Sequence, residues 1–262
     1  MPIAQGTFET GAVTHIGKVR RRNEDAYLVR PEAGIWAVAD GMGGHDSGDL
    51  ASRTVIDALR AIEHPLSAED LLDRCESQVV SANCVLRSIS RERGGVIIGT
   101  TIAILLAYDG HYACLWAGDS RIYVVRGNGI VQLSRDHTEV QELLSNGVIT
   151  PQEERTWPRG NAITRAIGVS DLPELDMISG QLAPGDTFVL CSDGLYQHIP
   201  DEEILACVRA LPPQGACDRL LYLTLERGGA DNVTVVVARY RPGPARFAGL
   251  TPEPANLRGA DE

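Results

Sequence analysis

Three apolar runs of strand character end abruptly on an aspartate: IWAVADG at Asp40, CLWAGDS at Asp119 and FVLCSDG at Asp193. A carboxylate at the end of a buried strand lies at the rim of a sheet, where strands converge and where burial is costly without a cation. One Asp-Gly step is an ordinary turn. Three strand ends of this kind, with Glu24-Asp25 and Asp231, make six acidic groups that the fold can gather at one rim. Oxygen donors without His or Cys favour hard divalent ions, so Mg²⁺ or Mn²⁺ is the expected occupant, with waters completing the shell. The bland alternative is a set of unrelated, solvated carboxylates.

The rest of the chain supplies a scaffold for such a rim. Strands are expected at Ala12 to His15, Ala26 to Val29, Ile35 to Ala39, Thr101 to Tyr108, Tyr112 to Ala117, Ile122 to Arg126, Thr187 to Cys191 and Val233 to Tyr240, several of them rich in β-branched residues. Helices are expected at Asp49 to Glu63, with Ala51, Val55, Leu59 and Ile62 on one stripe, and at Ala68 to Arg91, with Leu72, Val79, Leu86 and Ile89. Ser67 followed by Asp70 reads as a capped start, and Gly94-Gly95 as a stop. Two more helices fit near Asp201 to Ala210 and Ala216 to Arg227. Strand groups and helix pairs without regular β-α-β alternation give an α+β class, a sheet sandwich flanked by helices. From Arg241 onward RPGPARFAGLTPEPANLRGADE is too poor in apolar residues to order itself and reads as a tail.

Composition removes other functions. With 262 residues and 44% hydrophobic content the chain can build a real core. Lys+Arg 24 against Asp+Glu 35 gives a net charge of −11, which repels nucleic acid and anionic membrane surfaces on average. The six cysteines lack zinc-type spacing, and with no charged-then-apolar leader they read as reduced thiols of a cytoplasmic protein. The stretch Val96 to Tyr108 is too short to span a bilayer, which takes about 20 residues, so no membrane insertion is expected.

Phosphate chemistry is favoured by Arg20 in GKVRRRNED, a guanidinium able to take a phosphoryl group bidentately. The cysteine-phosphatase loop, the P-loop and G-x-S-x-G are all missing, and DGMGGHDSG fails the dinucleotide spacing at Asp46.

In order along the chain stand VRRRNEDAY, VADGMGG, GTT, GDSRIY, TRAIG, CSDGLY and DNVT. Together they closely resemble the PPM-type metal-dependent protein phosphatases, the type 2C serine/threonine phosphatases, in their compact bacterial form, over about Phe8 to Tyr240. The resemblance implies a central antiparallel β-sandwich with helices on both outer faces, four layers α-β-β-α, and a metal cluster at one end. It implies a single domain over residues 1–240 with a small flap at about 137–165, and a tail at 241–262. Residue by residue, Asp40 would bridge two core ions of Mn²⁺ or Mg²⁺, and the carbonyl of Gly41 would bind one of them. Asp193 and Asp231 would complete the other side, with Asp25 and Glu24 acting directly or through water. Asp119 with Asp193 would hold a third, more labile ion, and Arg20 would bind phosphate.

The implied reaction is hydrolysis of phosphoserine and phosphothreonine by a metal-bridging hydroxide, with no phosphoenzyme. A proton must reach the leaving alkoxide. The sequence departs here from the eukaryotic pattern, which has a His after the Asp-Gly pair: Met42 stands there, and His45 is the nearest candidate acid, weighed against a bystander role. The string between Asp136 and Arg165 is the expected reader of substrate, with His137, Trp157 and Arg159 as candidates for contacting a peptide, against the commoner outcome of a surface Arg and a Trp packed on its own loop. Expected partners are phosphorylated proteins, among them a cognate Ser/Thr kinase and its substrates in a signalling or secretion pathway, acted on by a monomer. The alternative is a catalytically weak regulator that binds phosphoproteins.

Overall fold

The structure, a computed structural model, describes residues 6–43, 47–154, 157 and 162–243. In chain order it contains β1 (Thr7–His15), β2 (Asp25–Arg30), β3 (Ile35–Gly43), α1 (Ser47–Arg60), α2 (Ala68–Glu92), β4 (Ile98–Thr100), β5 (Ile102–Tyr108), β6 (His111–Ala117), β7 (Arg121–Arg126) and β8 (Gly129–Gln132). There follow α3 (Glu139–Ser145), α4 (Pro151–Glu154), β9 (Asp176–Gln181), β10 (Thr187–Cys191), α5 (Asp193–Tyr196), α6 (Asp201–Ala210), α7 (Pro213–Glu226) and β11 (Val233–Arg241).

The strands form two antiparallel sheets, ordered β1-β11-β10-β7-β8 and β2-β3-β5-β6-β9, with β4 paired to β3. Alternation along each strand explains why the runs are apolar on both faces. In β3, Trp36 and Val38 join Leu105, Phe188, Leu190 and Val236 in the core between the sheets. Ile35, Ala37 and Ala39 face the other way, against Ala51, Val55 and Leu59 of α1 and Leu71, Cys75 and Val79 of α2. On the far side Val233, Val235 and Val237 of β11 pack with Ile204 and Val208 of α6 and Ala216, Cys217 and Leu220 of α7. Three apolar layers between four structural layers give the expected α-β-β-α sandwich.

Most expected elements are present, with corrections at their ends. The buried stripe of α2 runs through Leu71 and Cys75, with Leu72 at its margin, because the helix faces the sheet one residue earlier. Ser67 caps it as anticipated, its Oγ accepting from Asp70 N–H at 3.0 Å. β3 continues past Ala39 to Gly43, so Asp40 and Gly41 lie within a strand paired to Thr100. β11 extends to Arg241, which pairs with Thr7 and so belongs to the sandwich instead of the tail. Residues 244–262 lie outside the described residues, as do His45 and Arg159. All six cysteines are free thiols. Among the described residues no helix is long and apolar enough to cross a membrane.

Candidate metal centre

The carboxylates meet where the two sheets open at one end of the sandwich. Asp25 starts β2 directly opposite Asp40 on β3, so the two side chains share a face, and alternation from Trp36 and Val38 turns that face toward the other sheet. From that sheet Ser192 Oγ donates to Asp25 Oδ2 at 2.7 Å while accepting Thr234 N–H at 3.0 Å. This contact ties β2 to the β10 and β11 ends across the mouth. Asp193 opens α5 beside it, its Oδ2 accepting from Gln197 Nε2 at 2.7 Å.

Asp40 is fixed through its backbone. Its N–H donates to Thr101 Oγ1 at 3.0 Å, and its carbonyl accepts from Thr101 N–H and Thr100 Oγ1, both at 2.9 Å. Thr101 Oγ1 is also 2.7 Å from Ser120 Oγ, which links the strand to the loop of Asp119. The GTT and GDS segments therefore aim acidic residues instead of reacting. Gly41 is obligatory: a Cβ there would lie 2.0 Å from the carbonyl oxygen of Gly48 and 2.7 Å from that of Glu24. The Glu24 carboxylate rests against Gly48 in the first turn of α1.

The electrostatics report crowding of like charge. Burial pushes the Asp25 carboxyl up to about 7, with Asp193 and Asp231 adding to it against hydrogen bonds from Thr234 and Ser192. Asp40 is raised well above the usual carboxylate range by burial and then by Asp25, Asp193, Asp119 and Asp231. Burial, with Asp193 and Asp136, lifts Asp119 to about 7, and burial with Asp231 lifts Asp193 to about 6. Arg20 is the opposing charge. Its Nη2 lies 2.6 Å from Asp231 Oδ2, which raises the guanidinium pKa, and Asp193 and Asp40 add to that.

These residues fit a hard dication. Asp25 Oδ1 and Asp193 Oδ1 are buried with no hydrogen-bond partner among the described residues, an arrangement that costs several kcal/mol per ion unless a cation or proton compensates. Every donor is oxygen, which selects Mg²⁺ or Mn²⁺ over zinc. Among the described residues no three His, Cys, Asp or Glu side chains stand in an arrangement that holds a metal ion, so the fit rests on the orphaned oxygens and the crowding of like charge.

Asp25, Asp40, Asp119, Asp193, Asp231 and Arg20 are thus brought together, with Glu24 and Gly41 adjoining. His137 is only 6% exposed and is turned inward against Trp116. Asn232 was not singled out by sequence, yet its side chain donates to the carbonyls of Ile16 and Arg22 at 2.9 and 2.8 Å and accepts Glu24 N–H at 2.8 Å. Its position directly after Asp231 in DNVT was the available signal. Cys114 and Cys191 are buried core residues whose thiols burial pushes up, as expected for inert packing groups.

Residues 14–219 match the family model described as Protein phosphatase 2C. The serine/threonine protein phosphatase PstP of Mycobacterium tuberculosis is 37% identical over 224 residues, which is 85% of this chain and 43% of PstP. The chain therefore spans less than half the length of that relative. The serine/threonine phosphatase stp of Listeria welshimeri is 35% identical over 237 residues, 86% of this chain and 92% of its own. Among solved structures, PppA, a key regulatory component of T6SS in Pseudomonas aeruginosa, is 39% identical with a TM-score of 0.84, covering 90% of this chain and 99% of that one. The catalytic domain of PstP in complex with 2 manganese ions superposes with a TM-score of 0.81 at 32% identity, over 90% of this chain and 99% of that one. A sandwich whose mouth gathers carboxylates from both sheets, matched over most of its length by these relatives, makes the chain a member of the protein phosphatase 2C family.

Proposed function

We propose that this chain is a Mn²⁺- or Mg²⁺-dependent protein phosphatase that hydrolyses phosphoserine and phosphothreonine. The observation that carries the reading is the crowding at one mouth of buried Asp25 and Asp119 with half-buried Asp40 and Asp193, an oxygen of Asp25 and one of Asp193 lacking any hydrogen-bond partner among the described residues, and Arg20 at the edge. Asp40, the Gly41 carbonyl, Asp193 and Asp231 would hold the two core ions with help from Asp25 and Glu24, and Asp119 with Asp193 would hold a third. When bound, the ions supply an activated water and offset charge developing on the phosphoryl oxygens.

The chain's own groups do the remainder. Arg20 engages Asp231 through Nη2, and its fork has further N–H groups to meet phosphoryl oxygens. Its cationic charge offsets the acidic mouth locally, which lets an anionic substrate approach a chain of net charge −11. The β3–β4 pairing and Thr101 hold the Asp40 backbone in place. A group that protonates the leaving alkoxide is required, and His45 is our assignment for it.

The substrates we assign are phosphoproteins, including a Ser/Thr kinase and its targets in a bacterial signalling or secretion pathway. Likeness to PppA, described as a regulatory component of T6SS, supports that class of pathway. We read the chain as cytoplasmic, since its free thiols suit a reducing compartment, and further assign it a monomeric state with the flap at about 137–165 as the substrate reader.

The test is phosphate release from a phosphothreonine peptide by metal-stripped protein titrated with Mn²⁺, Mg²⁺ and Ca²⁺. Turnover with Mn²⁺, lost by at least about a thousandfold in Asp193→Asn, is expected, while Arg20→Ala mainly raises KM. No turnover from folded, Mn²⁺-binding protein would instead support a regulator that binds phosphoproteins.

A further inference from the structure

The segment that enters the flap is tied to the Asp119 loop residue by residue. Trp116 Nε1 donates to the carbonyl of Arg135 at 2.8 Å, and Arg121 donates to both carboxylate oxygens of Asp136, Nε to Oδ1 at 3.1 Å and Nη2 to Oδ2 at 2.7 Å. Thr138 caps α3. Between them the ring of His137 stacks on Trp116, with centroids 6.2 Å apart and 20° between planes. The His137 N–H donates to the carbonyl of Gly118 at 2.9 Å, and Gly118 N–H donates back to His137 Nδ1 at 3.2 Å.

Gly118 directly precedes Asp119 and has φ +103°, and a Cβ on it would stand 2.6 Å from Thr101 Cγ2. No side chain of its own can hold Gly118, so the direction of the two peptides that flank it depends on what its N–H and C=O meet. The His137 ring meets the N–H, and the His137 backbone meets the C=O. On the other side Tyr196 OH donates to the carbonyl of Asp119 at 3.1 Å.

Because Nδ1 accepts a hydrogen bond, the ring proton must sit on Nε2, which lies 3.1 Å from Asp176 Oδ2. Asp176 Oδ1 accepts from Arg165 Nη1 at 2.7 Å, and the His137 carbonyl accepts Thr164 N–H at 2.9 Å. His137 thus joins the Asp119 loop to both ends of the 137–165 segment, its ring reaching Arg165 through Asp176 and its backbone carbonyl meeting Thr164.

We propose that His137, set in its Nε2–H tautomer by Asp176, is a positioning residue: it fixes the Gly118 peptide and thereby aims the Asp119 carboxylate at its ion. The inference rests on the reading of Asp119 as a ligand of the third ion. A carboxylate that must hold a labile ion gains affinity when its backbone is immobile before the ion arrives, as with other groups that orient metal ligands. The link also makes the base of the flap and the weakest ion report on each other.

The test uses the full chain, metal-free and then titrated. Ring nitrogen NMR should show His137 with its proton on Nε2, and amide exchange should show Gly118 strongly protected. His137→Ala should cut that protection at least about tenfold and weaken the Asp119-dependent step of a calorimetric Mn²⁺ titration about tenfold, leaving the tighter steps in place. That step is identified as the one Asp119→Asn removes. His137→Asn, whose amide oxygen can stand near the place of Nδ1, should restore both readouts. A proton on Nδ1, undiminished Gly118 protection in His137→Ala, or an unchanged Asp119-dependent step would each overturn the inference while leaving Asp119 a ligand. If Asp119→Asn titrates like the wild type, the reading of Asp119 falls and the inference with it.

Discussion

At the scale of single residues, Asn232 shows how the site is assembled from chain pieces that share no strand. It is 5% exposed and joins Ile16, Arg22 and Glu24 in one set of hydrogen bonds. The Glu24-Asp25 corner and the Asp231 loop therefore hang from a common anchor. Two donors and an acceptor on one short planar side chain are what an Asn supplies and an Asp does not. Asn232→Ala should leave two carbonyls and an N–H unpartnered and destabilise the protein by about 2–4 kcal/mol, read from the denaturant midpoint. Asn232→Asp should do at least as much harm, since a carboxylate would face the carbonyls of Ile16 and Arg22. A midpoint within about 0.5 kcal/mol of wild type for the alanine variant would rule out the anchor.

At the scale of elements, β3 does the work of a strand and of a ligand loop at once. Its apolar part ends at Ala39, but pairing of Gly41 with Thr100 on β4 carries the ladder on to Gly43, so Asp40 is held by a sheet instead of a turn. The arrangement demands glycine at 41. Gly41→Ala would drive a Cβ into the carbonyl of Gly48 at 2.0 Å, moving β3 away from α1. We expect a loss of about 2–3 kcal/mol in stability together with weakened Mn²⁺ binding, and a fully stable, fully active variant would contradict the packing described. The long apolar strands, α2 with its Ser67 cap and α6 are legible in the sequence because periodicity and caps are local signals. β9 was not, because DMISGQ is an edge strand with exposed Met177 and Ile178 and so lacks a clean apolar pattern. β4 and β8 are too short, at 3 and 4 residues, to show any period. The acidic rim could be read from strand ends, whereas the roles of Ser192, Asn232 and His137 depend on partners far off in the chain. His137 sits in a polar string, and only the fold turns it inward against Trp116.

At the scale of the whole molecule, the acidic mouth makes stability depend on pH in a direction opposite to that of most salt-bridged proteins. In the unfolded chain these carboxyls titrate near their ordinary value of about 3.9. In the folded, metal-free protein Asp25 and Asp119 are lifted to about 7, Asp193 to about 6, and Asp40 well above its usual range. Above pH 4 the folded state keeps protons that the unfolded state has released, so stability falls as pH rises until the folded values are passed. His137 opposes this, since burial lowers its pKa and its contribution is lost as pH falls below the unfolded value. One imidazole against four carboxyls leaves the sign with the carboxyls. With EDTA present, the thermal midpoint should therefore drop steadily from pH 5 to pH 8, and Asp193→Asn should flatten the slope. Mn²⁺ should restore more stability at pH 8 than at pH 5, because at the lower pH protons compete for the same oxygens and the ions bind more weakly. A midpoint that rises with pH in EDTA would mean that the carboxyls ionise freely in the folded chain, and that the crowding assigned to this mouth does not exist.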